Sequence, residues 1–474
     1  MKTECNGQTY LFPAEISRQI VARFDGGTIT SDAGGLLLQQ VERQTGVLRQ
    51  FAVCFTDHRH PDLIEHTVTE LVSQRVYGLA LGYEDLNDHD ELRHDPLLAV
   101  LVGKPDPTGQ DRVDPRDRGK ALAGKSTLNR LELTPVGASA ESRYKKIVLN
   151  SQRAEMLFTE YFLQSPRQPP QEIILDLDAT DDPIHGEQLG RFFHGYYQNY
   201  CYLPLYIFCG EHLLWAQLRP SDIDGSAGSV KALRKIIGRI RQLWPQVKIV
   251  IRGDSGFCRE NLMAWCEGNG VDYLLGLAKN DRLLQEITEA MAQAKAGYQQ
   301  SGQAARVFQD FVYQTLNSWS RGRRVVGKAE YLSKGENPRF VVTSLSSAKV
   351  EARHLYEEIY CARGEMENRI KEQQLYLFAD RTSAATMRAN QLRLWFSSLA
   401  YVLLSALRRL GLQNTELAGA QCSTIRLKLL KIGAAIQITV RKVWVSLAES
   451  YPYQRIFQQV YENLMRRTPV PLRC

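Results

Sequence analysis

No apolar run in this 474-residue chain is long enough to span a bilayer. The longest, Leu394 to Leu407, falls short of the roughly 20 residues a membrane helix needs and is closed at both ends by arginine, so it is expected to be a buried helix. The start, M-K-T-E-C-N-G-Q-T-Y, has no apolar h-region, which predicts a protein that is not exported and stays in the cytoplasm. Nine cysteines are scattered without one C-x-x-C pair; this argues against a zinc finger and a disulfide scaffold and fits reduced thiols. Acid is scarce at one end only. From Arg381 onward 14 Lys+Arg face just Glu416, Glu449 and Glu462, although the whole chain carries a net charge of only +7. So uneven a balance predicts a polyanionic partner, nucleic acid ahead of an anionic membrane surface.

What is present is enough apolar residue, 44% of the chain, for a sizeable core and two to four domains by the usual length prior. The chain is organised around Glu172 to His185, E-I-I-L-D-L-D-A-T-D-D-P-I-H, an apolar β-branched run followed by Asp176, Asp178, Asp181 and Asp182. Carboxylates this crowded either hold protons with raised pKa values or bind a hard divalent cation; a solvated acidic loop is the plainer alternative. Strands are expected again at Tyr202 to Cys209 and His212 to Leu218, joined by a tight Gly210-Glu211 turn, then a helix over Ser226 to Leu243. Val247 to Asp254 is the next strand, Arg259 to Gly268 a short helix and Val271 to Leu277 a last buried strand. That order makes an α/β mixed sheet with flanking helices and acid at the carboxyl ends of two strands, where ligands gather in such sheets. Asp254, in I-R-G-D-S-G-F, is therefore a second candidate acid, with helix capping as the alternative.

Arg306 to Leu345 reads as strands again, a β-rich insertion in which Trp319, within W-S-R-G-R-R, could stack on a base or simply pack. From Ala352 the pattern is helical, and Tyr360, Arg363, Glu367 and Lys371 recur at three or four residues along one face, either as solvated ion pairs or as a phosphate-binding face. Residues 1 to about 150 are expected to be mostly helical after a short extended start. Its His58, His60, His66, His89 and His94 fit no metal-ligand spacing and are expected at the surface or in caps. Gly119 to Ser126 matches the G-x-x-x-x-G-K-[ST] phosphate loop, but D-R-V-D-P-R-D-R before it cannot form the buried strand such a loop needs.

With these residues the chain resembles the DDE transposases of bacterial insertion sequences, in the branch that carries a tyrosine-arginine-glutamate-lysine signature. The resemblance runs from about Ile173 to Lys371, and L-A-L-G-Y-E-D-L-N-D-H-D in the N-terminal part is also similar. It implies a ribonuclease H-like sheet in which Asp178, Asp254 and Glu367 are the catalytic acids and metal ligands, with Asp176, on the same strand face as Asp178, an alternative first ligand. Tyr360 and Arg363 match the signature. The family pattern places its lysine where this chain has Gln374, so Lys371, one helical turn past Glu367, stands in.

The implied activity is cleavage at transposon ends and strand transfer into target DNA with Mg²⁺ or Mn²⁺, by a homodimer assembled on DNA ends in the bacterial cytoplasm, at the nucleoid. The alternatives are a nuclease that does not join strands and a non-catalytic DNA-binding derivative. Tyr360, Arg363, Lys371 and Trp319 are the expected DNA contacts. The expected layout is a helical N-terminal DNA-binding or dimerisation region over 1–150, a catalytic core over 170–282, a mostly β insertion over 283–345, the glutamate helix over 346–380 and a basic helical C-terminal region over 381–474.

Overall fold

The computed structural model describes residues 9–13, 18–166 and 168–466. Residues 1–8, where the start of the chain is read above, residues 14–17, Arg167 and the last residues, 467–474, lie outside the described residues. The chain forms two compact units, Leu149–Ser398 and, from its two ends, Met1–Val148 with Leu399–Cys474. Terminal regions that read as separate pieces thus share one unit.

The central unit is built on a nine-stranded sheet. In chain order its strands are β1 (Glu172–Ala179), β2 (Leu205–Cys209), β3 (His212–Gln217), β4 (Lys248–Gly253), β5 (Asp272–Leu277), β6 (Ala305–Tyr313), β7 (Arg323–Leu332), β8 (Gly335–Glu336) and β9 (Arg339–Thr343). They lie in the order β3-β2-β1-β4-β5-β9-β7-β6, with β8 pairing β7. β1–β4 and β4–β5 are parallel and the other pairs antiparallel. The parallel pairs are those whose connections pass through the helices Ser229–Leu243 and Glu260–Gly268.

The two-residue period of a strand sorts the side chains. Ile173, Leu175 and Leu177 of β1, with Ile249 and Ile251 of β4, enter the main core beside Ile236, Ile240 and Met263 of the covering helices. Each such side chain contributes roughly 1.5–3 kcal/mol by burial. Asp176, Asp178, Arg252 and Asp254 occupy the alternate positions and so face the opposite side. There Leu274, Val326 and Val341 pack against Ala352, Leu355 and Tyr356 at the start of the glutamate-bearing helix.

The 283–345 stretch is expected as a mostly β insertion. It contains the helix Thr288–Ser301, and β6, β7 and β9 continue the central sheet through the β5–β9 pairing. Phe340 and Val342 of β9 enter the same core as β4 and β5, which gives these strands no reason to form a body of their own.

The terminal unit is mostly helical, with Gly35–Thr45, Val68–Leu81, Pro96–Val102 and Lys125–Glu132 among its helices. Val68–Leu81 starts on a capping box in which Thr67 and Glu70 satisfy each other's backbone N–H groups. The apolar run Leu394 to Leu407 lies within the helix Met387–Leu410, and no helix among the described residues is long and apolar enough to cross a membrane.

Three expectations for the terminal regions need correction or detail. The C-terminal region is not helical throughout: β10 (Ala434–Ile438) and β11 (Val443–Leu447) form an antiparallel hairpin, and β10 also pairs with Ile29–Thr30. His66 and His89 are buried rather than at the surface, and burial depresses them to about 2 and about 3, so both stay neutral. The phosphate-loop match is preceded by turns and the 3₁₀ turn Pro115–Asp117, with no strand feeding it, and its Lys125 is paired with Asp90 at 3.2 Å.

Candidate active site

The parallel register of β1 and β4 sets Gly253 beside Leu177. One step further along both strands stand Asp254 and Asp178, adjacent at the carboxyl end of the sheet and on the side that meets the glutamate-bearing helix. Asp178 accepts a hydrogen bond from the Ala179 N–H at 2.9 Å. Burial, the neighbouring charge of Asp254 and that of Glu367 push its carboxyl up to about 7, against the opposing pull of Arg363. Asp254 accepts from the Gly256 N–H at 2.8 Å and so caps the 3₁₀ turn Ser255–Phe257. Its capping and its place beside Asp178 are therefore compatible: the cap holds the carboxylate at the strand end.

Tyr360, Arg363 and Glu367 arrive on a helix whose winding changes repeatedly. Ala352–His354 is α, Leu355–Tyr360 is π, Cys361–Arg363 is 3₁₀, Gly364–Lys371 is α again and Glu372–Tyr376 is π. A regular helix was expected; the wide and tight turns meet at Tyr360 to Arg363, and such irregularities concentrate at functional sites. Arg363 donates through Nη2 to Glu367 Oε1 at 2.8 Å, and its Nη1 lies 3.9 Å from Asp178 Oδ2. Burial works against its charge, but Tyr360, Asp178, Glu367 and Asp254 outweigh it and hold the guanidinium above its ordinary value. Arg363 thus links the strand-borne acids to the helix-borne one.

Asp176 is differently engaged. Arg252, opposite it on β4, donates to both its oxygens, Nε to Oδ1 at 2.5 Å and Nη2 to Oδ2 at 2.8 Å, and the pair is buried. The same guanidinium donates through Nη1 to the carbonyl of Ile359, the residue before Tyr360. Arg252 was missed in the sequence, although I-R-G-D places a cation two residues before Asp254 and so on the same strand face. Gly276 was missed as well. A Cβ there would lie 2.6 Å from Tyr360 Oη, 2.9 Å from the Ser255 nitrogen and 3.2 Å from the Asp254 carbonyl carbon, so only glycine lets the tyrosine reach the Asp254 turn. A lone glycine inside V-D-Y-L-L-G-L was the available signal.

The rest of the acidic stretch disperses. Asp181 accepts from Asn199 at 3.1 Å, while Asp182 is buried beside Thr382 and shifted upward by that burial. Lys371 is exposed on the Gly364–Lys371 helix, and Gln374, where the family lysine was expected, donates to the Asp181 carbonyl at 2.8 Å. Trp319 is not a stacking platform. It is 7% exposed, its ring meets Tyr313 edge-on at 5.8 Å, and the Arg323 guanidinium lies 5.5 Å above it.

Among the described residues no three Asp, Glu, His or Cys side chains stand close enough to enclose a metal ion. The donors nevertheless suit a hard divalent cation: two adjacent aspartates, one of them raised by burial and by the charge of its neighbours, and a glutamate that accepts from an arginine.

The family model for the transposase DDE domain, group 1, matches residues 12–469. The chain belongs to this family of DDE transposases. It is accordingly a DNA transposase, an enzyme that cleaves and joins DNA, and DDE transposases use divalent metal ions. No curated protein matches the chain. Among solved structures it is similar to the cryo-EM structure of the piggyBac transposase synaptic complex with hairpin DNA, at 12% identity and a TM-score of 0.39, over 94% of this chain and 87% of that one.

Proposed function

We propose that this transposase is of the bacterial insertion-sequence type, that Asp178, Asp254 and Glu367 are its catalytic acids and metal ligands, and that its core is ribonuclease H-like. The observation that carries the reading is the β1–β4 register, which sets Asp178 and Asp254 side by side with Arg363 reaching from Asp178 to Glu367. The strand order β3-β2-β1-β4-β5, with three antiparallel strands followed by two parallel ones, supports the core.

The ion is proposed to be Mg²⁺, with Mn²⁺ as a substitute. Asp178, Asp254 and Glu367 would hold such ions, which would supply activation of a water or 3′-hydroxyl and charge stabilisation for the departing oxygen of an in-line phosphoryl transfer. Arg363 and Lys371 position phosphates, Arg363 through its planar fork, and Tyr360 braces the Asp254 turn through the gap left by Gly276. Asp176, with both oxygens held by Arg252, is the weaker candidate for first ligand. We further propose that the protein works as a homodimer on paired ends in the bacterial cytoplasm.

The test uses DNA carrying the inverted repeats that flank the coding region, supplied with a target plasmid and Mg²⁺, Mn²⁺ or EDTA. Metal-dependent cleaved ends together with joined products support the proposal. Cleavage without joining supports a nuclease, and end binding without either product supports a DNA-binding derivative.

A further inference from the structure

The β10–β11 hairpin of the terminal unit carries a tip that folding alone does not explain. Its base is anchored: Ala434 and Ile436 are buried, and Ala434 and Ala435 pair with Thr30 and Ile29. Its far end stands in solvent, with Val443 and Trp444 exposed.

The turn is closed tightly. The Thr439 N–H donates to the Lys442 carbonyl at 2.8 Å, the Thr439 hydroxyl donates to the same oxygen at 2.9 Å, and the Lys442 N–H donates back to Thr439 Oγ1 at 3.0 Å. Tight turns ordinarily draw on Gly, Pro, Asn, Asp or Ser. This one presents Val440 and Arg441, and Val440 is 105% exposed. A β-branched apolar side chain fixed wholly in water at the end of a rigid turn gains nothing from folding.

The surrounding chemistry is of one sign. From Arg426 to Ala448 there is no Asp or Glu. Arg426 is taken up by the carbonyls of Leu79 and Ala80, and Lys431 by Asp32 at 2.6 Å. Arg441 and Lys442 have no carboxylate partner among the described residues. The Lys442 ammonium lies 5.2 Å over the Trp444 ring, which is 53% exposed on the outward face opposite Gln437. An apolar tip flanked by two unpaired cations and an aromatic face is complementary to a DNA duplex. A two-stranded ribbon fits its major groove, about 12 Å wide, with cations against phosphates and apolar groups against base edges and thymine methyls.

We propose that the β10–β11 hairpin is a DNA-reading wing of this transposase: Arg441 and Lys442 neutralise phosphates on either side of a major groove, and Val440 and Trp444 make the apolar contacts within it. This rests on the DNA partner already derived and adds where part of that contact is made.

The test is the affinity of the full chain for end-bearing duplex, followed by fluorescence anisotropy over a salt series, for wild type, Arg441→Ala/Lys442→Ala and Val440→Ser/Trp444→Ala. Loss of two phosphate contacts should weaken binding roughly tenfold or more near 0.1 M salt and lower the slope of log K against log salt by about 1.8. The apolar double variant should keep the wild-type slope and lose discrimination between end DNA and a scrambled duplex. The tip is solvent-exposed, so thermal melts should match wild type. Wild-type binding with unchanged slope and affinity in the cationic variant would overturn the wing and leave the DNA reading intact; failure of wild type to bind any duplex would instead overturn the DNA reading. Altered self-association in either variant with unaltered DNA affinity would assign the hairpin to a second copy of the chain and also overturn the proposal.

Discussion

Replacing Arg252 by methionine removes one side chain that serves two purposes, and the two are separable. Arg252 makes paired hydrogen bonds to Asp176, at 2.5 and 2.8 Å, in a site where both residues are buried. Breaking a buried pair from one side leaves an uncompensated charge and costs roughly 3–5 kcal/mol. Burial already shifts the Asp176 carboxyl upward even with Arg252 opposing it. Without the arginine that shift grows, the folded state keeps a proton that the unfolded chain releases, and the loss of stability should be larger at pH 8 than at pH 5. The second purpose is the bond to the Ile359 carbonyl, which tethers the π-helical turn just before Tyr360 and so sets the approach of Arg363 and Glu367.

The double variant Asp176→Asn/Arg252→Met removes the stranded charge but not the lost tether. It should recover most of the stability in urea unfolding and little of the DNA cleavage, measured well below the melting transition. Recovery of both would reduce Arg252 to a charge neutraliser. A single variant costing under about 1 kcal/mol would refute the buried-pair reasoning itself.

The remaining predictions concern the site. Arg363→Ala should cost only a few tenths of a kcal/mol if Arg363 merely pairs with the half-exposed Glu367, and thermal stability should indeed barely move; strand transfer on precleaved ends should nonetheless fall by roughly 100-fold or more, with Lys371→Ala weaker in the same direction. Gly276→Ala drives a methyl into Tyr360 Oη and the Ser255 nitrogen, so a stability loss of about 1–3 kcal/mol with a larger loss of cleavage is expected; wild-type behaviour by both measures would contradict the close approach. Asp178 titrates near 7 in the folded protein against 3.8 in the unfolded chain, so the folded state binds the extra proton between those values and metal-free stability falls as pH rises through that window. In EDTA at pH 8, Asp178→Asn should therefore be more stable than wild type, by at most roughly 4 kcal/mol, and the gain should vanish at pH 4.

Strand and helix identities in the central unit were legible because period-2 and helical patterns survive in single segments: E-I-I-L-D-L-D and V-K-I-V-I-R-G-D announce both their cores and their acids. Register was not legible, since the pairing of Leu177 with Gly253 depends on two segments far apart in sequence. The same limit hid Arg252 and Gly276, whose partners lie on other strands and on the glutamate helix. The continuation of the sheet into β6, β7 and β9 was hidden for a related reason: local pattern reports a strand but not which edge it joins. Trp319 shows the converse, an aromatic among arginines that reads as a binding surface until Tyr313 and Arg323 close over it. The winding changes around Tyr360 were not legible, because spacing of three or four residues is shared by α, π and 3₁₀ turns too short to set a period of their own.

The central claim is that Asp178, Asp254 and Glu367 act together on DNA. Each is replaced singly by its amide, which keeps size and removes a negative ligand, and each variant is given the end-bearing duplex with saturating Mg²⁺ while end binding is followed in the same samples. All three should bind ends as wild type does and lose cleavage and joining by orders of magnitude, whereas Asp176→Asn should retain far more of both. Near-normal cleavage by Asp178→Asn, with cleavage lost in Asp176→Asn, would contradict the account.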